Sequence, residues 1–508
     1  MFPISLIRHK DPELFFAIAS PIGADVSRAC NGLAEALKAF GYKLEQVRVI
    51  EQLKHVEGYL RDEPDFEDKK IKYQMDEGDR LRDDLKRDDA LVLLSLAAIR
   101  RFRRRPPNRS SSKPISRQAY LFRSLKRPEE VTALRRIYAS NLIVIGVHAA
   151  REQRVEHLAE RIATSHYSPQ HDQFRDKAEY LILRDESDEL KAHGQRLRAA
   201  FAMADFFLDS SDPQAIKRDL DRFLNLLFYK PVVTPSPDEL GMAYAHTAAM
   251  RSSELGRQVG AALLDKDSNL LAVGTNEVPK AHGGYYWDGD LQDGRDWSRG
   301  YDSSDHFKNA SLGELLQILS SHKLLAENLS KLSTLAQIKR VTPLIKQTRY
   351  MQLIEFVRAV HAEMGALMDA ASRGVPVFGS TMYVTTFPCH ECARNIIAAG
   401  VKRVVYIEPY AKSLALEQHP NAIQLDTAAD EQKIPFVPFL GVAPSNYSNL
   451  FAMPERKKDG FVIPWSAERA NPRVSGSFWS YLEYEKEDLK FLAERLKEKR
   501  LKTKIKIK

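Results

Sequence analysis

The sequence predicts an α/β protein of two consecutive domains: a doubly wound parallel sheet, then a mixed sheet layered between helices. Three observations predict it. From Leu14 to Phe228 short apolar runs alternate with longer amphipathic stretches, the order of parallel strands joined by crossover helices. From Gly260 to Ile407 two adjacent strand runs precede an alternation of helix and strand. Between the halves, Pro231-Val232-Val233-Thr234-Pro235-Ser236-Pro237 discourages a continued helix and marks a boundary. The expected division is 1–230, 231–454 and a C-terminal extension, 455–508, ending in a basic tail.

In the first half, Leu14-Phe15-Phe16-Ala17-Ile18-Ala19 has the pattern of a buried strand, and the amphipathic helix after it should run to about Phe40. Ser20 to Ser27, between them, stands where a phosphate-binding loop belongs. Aligned on Ser27, the loop is degenerate: Ser20 replaces the first glycine, Asp25 the last, and Val26 the lysine that reaches the phosphates. Gly23 and Ser27 remain, the latter matching the magnesium-binding hydroxyl, while the Asp25 carboxylate would repel phosphate. Strands are expected at 89–94 and 141–146, a helix from Arg151 to Ile162, a last strand at 204–209 and a final helix ending near Phe228. Arg100 to Pro114 reads as a basic, loop-like insertion between two strands, suited to polyanions.

In the second half, 260–264 and 270–274 read as paired strands joined at Asp267-Ser268-Asn269. The leucine- and lysine-rich segment 309–349 is an expected helical insertion. Its face of Leu312, Leu315, Leu316, Ile318 and Leu319 reads as an interface or lid. A helix at 364–372, a strand at 381–386, a helix at 390–399 and a strand at 403–407 follow.

Two motifs at the starts of those helices carry the chemistry: His361-Ala362-Glu363 and Pro388-Cys389-His390-Glu391-Cys392. One imidazole and two thiolates leave the fourth position of a tetrahedral Zn²⁺ to water, which marks a catalytic rather than a closed structural site. Glu363 then has the role of proton carrier in the attack of water on C4 of a cytosine or C6 of an adenine. The chain has three cysteines, so a four-cysteine finger is excluded; Cys30, in an apolar helix pattern, reads as a core residue. His361 and Cys389 should each open a helix, where the positive end of the dipole helps to keep thiolates ionised.

On these motifs, residues from about 240 to 410 resemble the deoxycytidylate deaminase branch of the cytidine deaminase superfamily. Arg257-Gln258-Val259-Gly260-Ala261-Ala262 resembles the family's opening strand, and 392–400 the helix after the cysteines. Gly274-Thr275-Asn276 resembles a G-x-N motif whose asparagine contacts the nucleoside. The resemblance implies hydrolytic deamination of free deoxycytidine nucleotides, dCMP or dCTP, with one Zn²⁺ per chain. Asn276 would lie on the substrate, and Arg257 or Arg358 near its phosphate. The first half resembles nucleoside-monophosphate kinases in outline without their lysine, and reads as a sensor or scaffold.

With the extension through 437–444 to Phe451, the whole chain is similar to bacterial antiviral deoxycytidylate deaminases. That implies depletion of deoxycytidine nucleotides during phage infection and an inhibitory small RNA, for which Arg100 to Arg105 are the candidate contacts. The alternative is a cytosine deaminase acting on polynucleotides, for which the surroundings of Cys392 lack an aromatic platform.

Composition narrows the class. No run approaches a membrane span, Met1-Phe2-Pro3-Ile4-Ser5 lacks the regions of a signal peptide, and cysteine usage suits a reducing compartment, so a cytoplasmic protein is expected. A homo-oligomer is expected as well. The net charge of +8 is concentrated in the arginine run and the tail.

Overall fold

A computed structural model describes residues 11–105, 110–186, 194–346, 348–410, 413–425, 430–474 and 478–503. The chain forms two compact units, Met1–Glu239 with Leu440–Lys508, and Leu240–Phe439. The C-terminal segment therefore neither ends the second half at 454 nor stands apart as an extension. From Leu440 it returns to the first unit, where backbone pairing holds it.

The first unit is built on five parallel strands, β1 (Leu14–Ala19), β2 (Lys43–Arg48), β3 (Gln118–Leu125), β4 (Leu142–His148) and β5 (Phe206–Asp209), in the spatial order β5-β4-β1-β3-β2. The returning residues Gly441 and Val442 add a short antiparallel strand beside β5. All six residues of β1 are buried, as both faces of a crossover-built sheet are covered. Side chains alternate across it. Leu14, Phe16 and Ile18 join Leu33 and Leu37 of the helix Val26–Lys38 and Leu220 of the helix Pro213–Leu227. Phe15 stacks on Tyr138 on the opposite face, ring centroids 3.7 Å apart.

One expected strand is a helix. Residues 89–94 enter the helix Ala90–Arg103, and the third strand is Gln118–Leu125. A short apolar run fits a buried strand or a buried helix equally; here apolar residues continue through Leu96, Ala97 and Ile99, beyond strand length, and are buried on all sides. The correction moves the arginine run as well. Arg100 and Arg103 lie on this helix and are buried, and Arg103 is 0% exposed between Glu13 and Glu485. They are structural ion-pair partners and not loop contacts for an RNA. Arg101, Arg104 and Arg105 are exposed, and 106–109 lie outside the described residues.

The second unit is a mixed sheet of β6 (Gly260–Leu264), β7 (Leu270–Thr275), β8 (Thr381–Thr386), β9 (Arg403–Glu408), β10 (Ile423–Gln424) and β11 (Ile434–Pro438), in the order β10-β11-β9-β8-β6-β7. β6 runs antiparallel to β7 and β8; the others are parallel to their neighbours. The insertion is helical, at Ser303–Ser321, Glu327–Ser330 and Thr334–Ile345. Leu312 and Leu316 are buried while Leu315 and Ile318 are exposed, so only part of the expected face packs. No described helix is long and apolar enough to cross a membrane.

Candidate active site

β8 ends at Thr386, and the next residues, Phe387 and Pro388, deliver Cys389 to the N-cap of the helix His390–Ala398. Its sulfur accepts a hydrogen bond from the Cys392 amide at 3.4 Å. His361 is the N-cap of the helix Ala362–Ser372, and its Nδ1 lies 3.3 Å from Cys389 Sγ and 3.4 Å from Cys392 Sγ. The three ligand atoms lie within 4.8 Å of one another. Metal–ligand bonds of about 2.1–2.3 Å around a tetrahedral ion place ligand atoms roughly 3.5 Å apart, so the set fits one Zn²⁺ with three protein ligands. Hydrogen bonding from Cys392 and His361 holds the Cys389 thiol well below its usual range, toward the thiolate that a metal requires.

Glu363 sits in the first turn of the His361 helix, 4% exposed, and faces a cavity of 280 Å³ that His361 and Cys389 also line. Burial pushes its carboxyl up to about 7, a range in which it can accept and release a proton near neutral pH.

Asn276, Arg257 and Arg358 line the same cavity. The Asn276 amide fastens the approach to β6: its Oδ1 accepts from Val259 N at 2.7 Å and its Nδ2 donates to the Arg257 carbonyl at 2.8 Å. Arg358 is pinned by Asp296 at 2.6 Å and the Gly294 carbonyl at 3.0 Å. Arg257 is exposed and meets Glu408 at 3.3 Å. Gly23 and Ser27 belong to the first unit, where both line another cavity. The reading of motifs missed Phe387 and Tyr410, which line the wall beside Cys389. Their position just past the carboxyl ends of β8 and β9 was the available signal. Glu254, from a loop, and Asp296, which opens the short helix Asp296–Arg299, are also in the lining and carried none.

The metal-bearing helix sits against β7 at Gly274. A Cβ there would lie 2.0 Å from the Ala362 carbonyl oxygen and 2.3 Å from the Ala366 amide nitrogen, both backbone atoms. Gly274→Ala should therefore push the His361 helix off the sheet, costing about 1–3 kcal/mol of stability and lowering zinc content. Metal analysis and thermal melting of the purified variant check this; full zinc occupancy at an unchanged melting temperature would contradict it.

Residues 235–408 match the family described as the cytidine and deoxycytidylate deaminase zinc-binding region. ComE operon protein 2 of Bacillus subtilis (strain 168) is 43% identical over 68 residues, 13% of this chain and 33% of that protein. The deoxycytidylate deaminase of Enterobacteria phage T2 is 46% identical over 54 residues, 11% of this chain and 29% of the phage protein. The Homo sapiens deoxycytidylate deaminase is 28% identical over 169 residues, 33% of this chain and 63% of the human protein. The chain thus spans less than two thirds of the length of each of these relatives.

Proposed function

From the premise that residues 235–408 carry the zinc-binding region of cytidine and deoxycytidylate deaminases, we propose that this protein deaminates free deoxycytidine nucleotides, dCMP or dCTP, to their deoxyuridine counterparts. The observation that carries the reading is the cluster of His361, Cys389 and Cys392 beside one small cavity that His361, Cys389 and Glu363 line. His361, Cys389 and Cys392 would hold the metal. Bound Zn²⁺ supplies Lewis acidity, making water a nucleophile at neutral pH.

The chain's own residues do the rest. Glu363, shielded from bulk water, moves a proton to the cytosine ring nitrogen and then to the departing amine. Oxygen from water replaces the 4-amino group, and ammonia leaves. Asn276 orients the nucleoside, directly or by fixing the Arg257–Val259 segment, and Arg257 and Arg358 supply positive charge for the phosphate. Withdrawal of deoxycytidine nucleotides from DNA synthesis would be the cellular consequence, which is the basis for an anti-phage role.

Incubation with dCMP, dCTP and single-stranded DNA, followed by ammonia measurement, tests the proposal. Ammonia should come from a free nucleotide, cease after zinc is stripped and return when zinc is restored. Release from DNA alone would favour the polynucleotide-acting alternative, and release from none would overturn the deaminase reading. The first unit we read as a scaffold or sensor: Val26 offers no charge where a phosphoryl-transfer lysine would stand, and Ser27 is engaged by Arg123.

A further inference from the structure

One carboxylate in the lining of the zinc-site cavity is left unserved by the fold. Glu254, half-buried, lines the cavity with His361, Cys389 and Glu363, and among the described residues its side chain takes no hydrogen bond or ion pair. Neighbouring carboxylates are engaged. Asp296 accepts from Ser303 and binds Arg358, and Asp302 caps the helix Ser303–Ser321 by accepting from Asp305 N at 2.8 Å. Burial first, then the charges of Asp302, Asp296 and Glu277, hold the Glu254 carboxyl above its usual range, with His361 opposing them. A carboxylate so placed calls for a hydrogen-bond donor that the chain does not supply.

Its position is fixed from both sides. Ser253, the residue before it, donates through its amide at 3.0 Å and its hydroxyl at 2.7 Å to Glu277 Oε2. Glu277 is 1% exposed, and its backbone exchanges hydrogen bonds of 3.2 and 3.0 Å with Val360, the residue before the ligand His361. Past Glu254, the Asn276 amide holds the Arg257 carbonyl and the Val259 amide. The segment that carries Glu254 is thus tied to the one that carries His361, and the carboxylate faces the cavity from a set place.

On the reading of this site as a deaminase of free deoxycytidine nucleotides, the group that serves Glu254 follows by elimination. A deoxycytidine 5′-phosphate has two neutral groups that donate hydrogen bonds, the 4-amino group and the 3′-hydroxyl. The amino group belongs at the metal and Glu363, where it leaves as ammonia. Only the 3′-hydroxyl remains. Inside a polynucleotide that oxygen is esterified: it has no proton to give, and its phosphate would stand against Glu254, with Asp302 and Asp305 in the same lining.

We propose that Glu254 confines this site to mononucleotides: its carboxylate accepts a hydrogen bond from the free 3′-hydroxyl and repels the phosphate that takes that hydroxyl's place in DNA. It is a specificity residue, and the proton transfers remain with Glu363.

The test compares deoxycytidine 5′-monophosphate, its 2′,3′-dideoxy analogue and deoxycytidine 3′,5′-bisphosphate as substrates of the zinc-loaded, full-length protein. Native protein should use the dideoxy analogue about 10- to 100-fold less efficiently than the monophosphate, in kcat/KM, and the bisphosphate less efficiently still. Glu254→Ala should cut kcat/KM for the monophosphate by about the same factor, mostly through KM, and leave the dideoxy analogue within about threefold. Glu254→Gln, which keeps an acceptor and loses the charge, should fall between Glu254→Ala and the native protein on the monophosphate. It should also raise the bisphosphate relative to the monophosphate by about tenfold or more. Zinc content and melting temperature should match the native protein in both variants. Binding gives a readout without turnover: Glu363→Gln, titrated calorimetrically, should hold the monophosphate about tenfold or more tighter than the dideoxy analogue, and adding Glu254→Ala should erase the difference. The proposal is overturned if native protein treats the monophosphate and its dideoxy analogue alike, if Glu254→Ala keeps the native ratio between them, or if the bisphosphate or single-stranded DNA reacts as fast as the monophosphate. Absence of both turnover and binding for every cytosine nucleotide would remove the deaminase reading itself, and this inference with it.

Discussion

Glu363→Gln should leave the protein with its full complement of zinc, about one ion per chain, and lower turnover of a deoxycytidine nucleotide by roughly 10²–10⁴-fold. Cys389→Ala should lose both metal and turnover. The contrast follows from the geometry. The carboxyl of Glu363 is buried beside the ligand cluster, whose donor atoms come from His361, Cys389 and Cys392. Glutamine preserves its volume and cannot carry the proton. Metal analysis and an ammonia assay on the same preparations decide the matter; zinc loss in the Glu363 variant would make it a metal-site residue and sink the assignment of roles.

The second large effect is expected far from any ligand, in the core of the first unit. Arg103 bridges two carboxylates, with Nη2 at 2.8 Å from Glu13 Oε2 and Nη1 at 2.6 Å from Glu485 Oε2, and all three side chains are 0% exposed. Tyr120 and Tyr481 donate to Glu13, and Tyr138 donates to Glu485, at 2.9–3.1 Å. The carboxylates therefore have little to gain from solvent and much to lose with the guanidinium. Arg103→Met should destabilise this unit by about 3–5 kcal/mol, read as a lowered urea midpoint, because it strands two buried negative charges. The exposed Arg104→Ser should stay within about 0.5 kcal/mol of the native protein.

The deficit has a pH sign. Burial already holds Glu485 above the usual carboxylate range, and removing Arg103 raises it further. A carboxyl whose folded pKa exceeds its unfolded one binds more protons in the folded state, so stability falls as pH rises. The Arg103→Met deficit should thus be smaller at pH 5 than at pH 8. A deficit independent of pH would show that packing alone, and not stranded charge, accounts for it.

The zinc ligands were legible from residue type and spacing because metal chemistry restricts both: a histidine followed two places on by glutamate, and a Cys-x-x-Cys whose first member caps a helix, leave few other uses. The strands flanking them were legible for a similar reason. The runs 260–264, 270–274, 381–386 and 403–407 are short, apolar and bounded by turn residues, and each forms a strand in the second unit. The parallel sheet of the first unit followed from alternation of strand and helix, but β2 and β3 were not read as strands, and at 89–94 an apolar run alone could not decide between strand and helix.

Burial and partnership were not legible. Arg100 to Arg105 look alike along the chain, yet Arg103 is enclosed between Glu13 and Glu485, residues 90 and 382 positions away, while Arg104 and Arg105 face solvent. Asn276 was marked as a substrate contact, and only the fold shows its amide tied to the backbone before β6. The return of the chain at Leu440 depends on Gly441 and Val442 finding the edge of β5. By itself the sequence determined which side chains are chemically fit to bind a metal and to carry a proton, because those properties belong to residue types at fixed local spacing. The tertiary structure alone decided which charges are spent inside the fold and which are left facing a cavity, because a charge's environment is set by neighbours that local spacing does not encode.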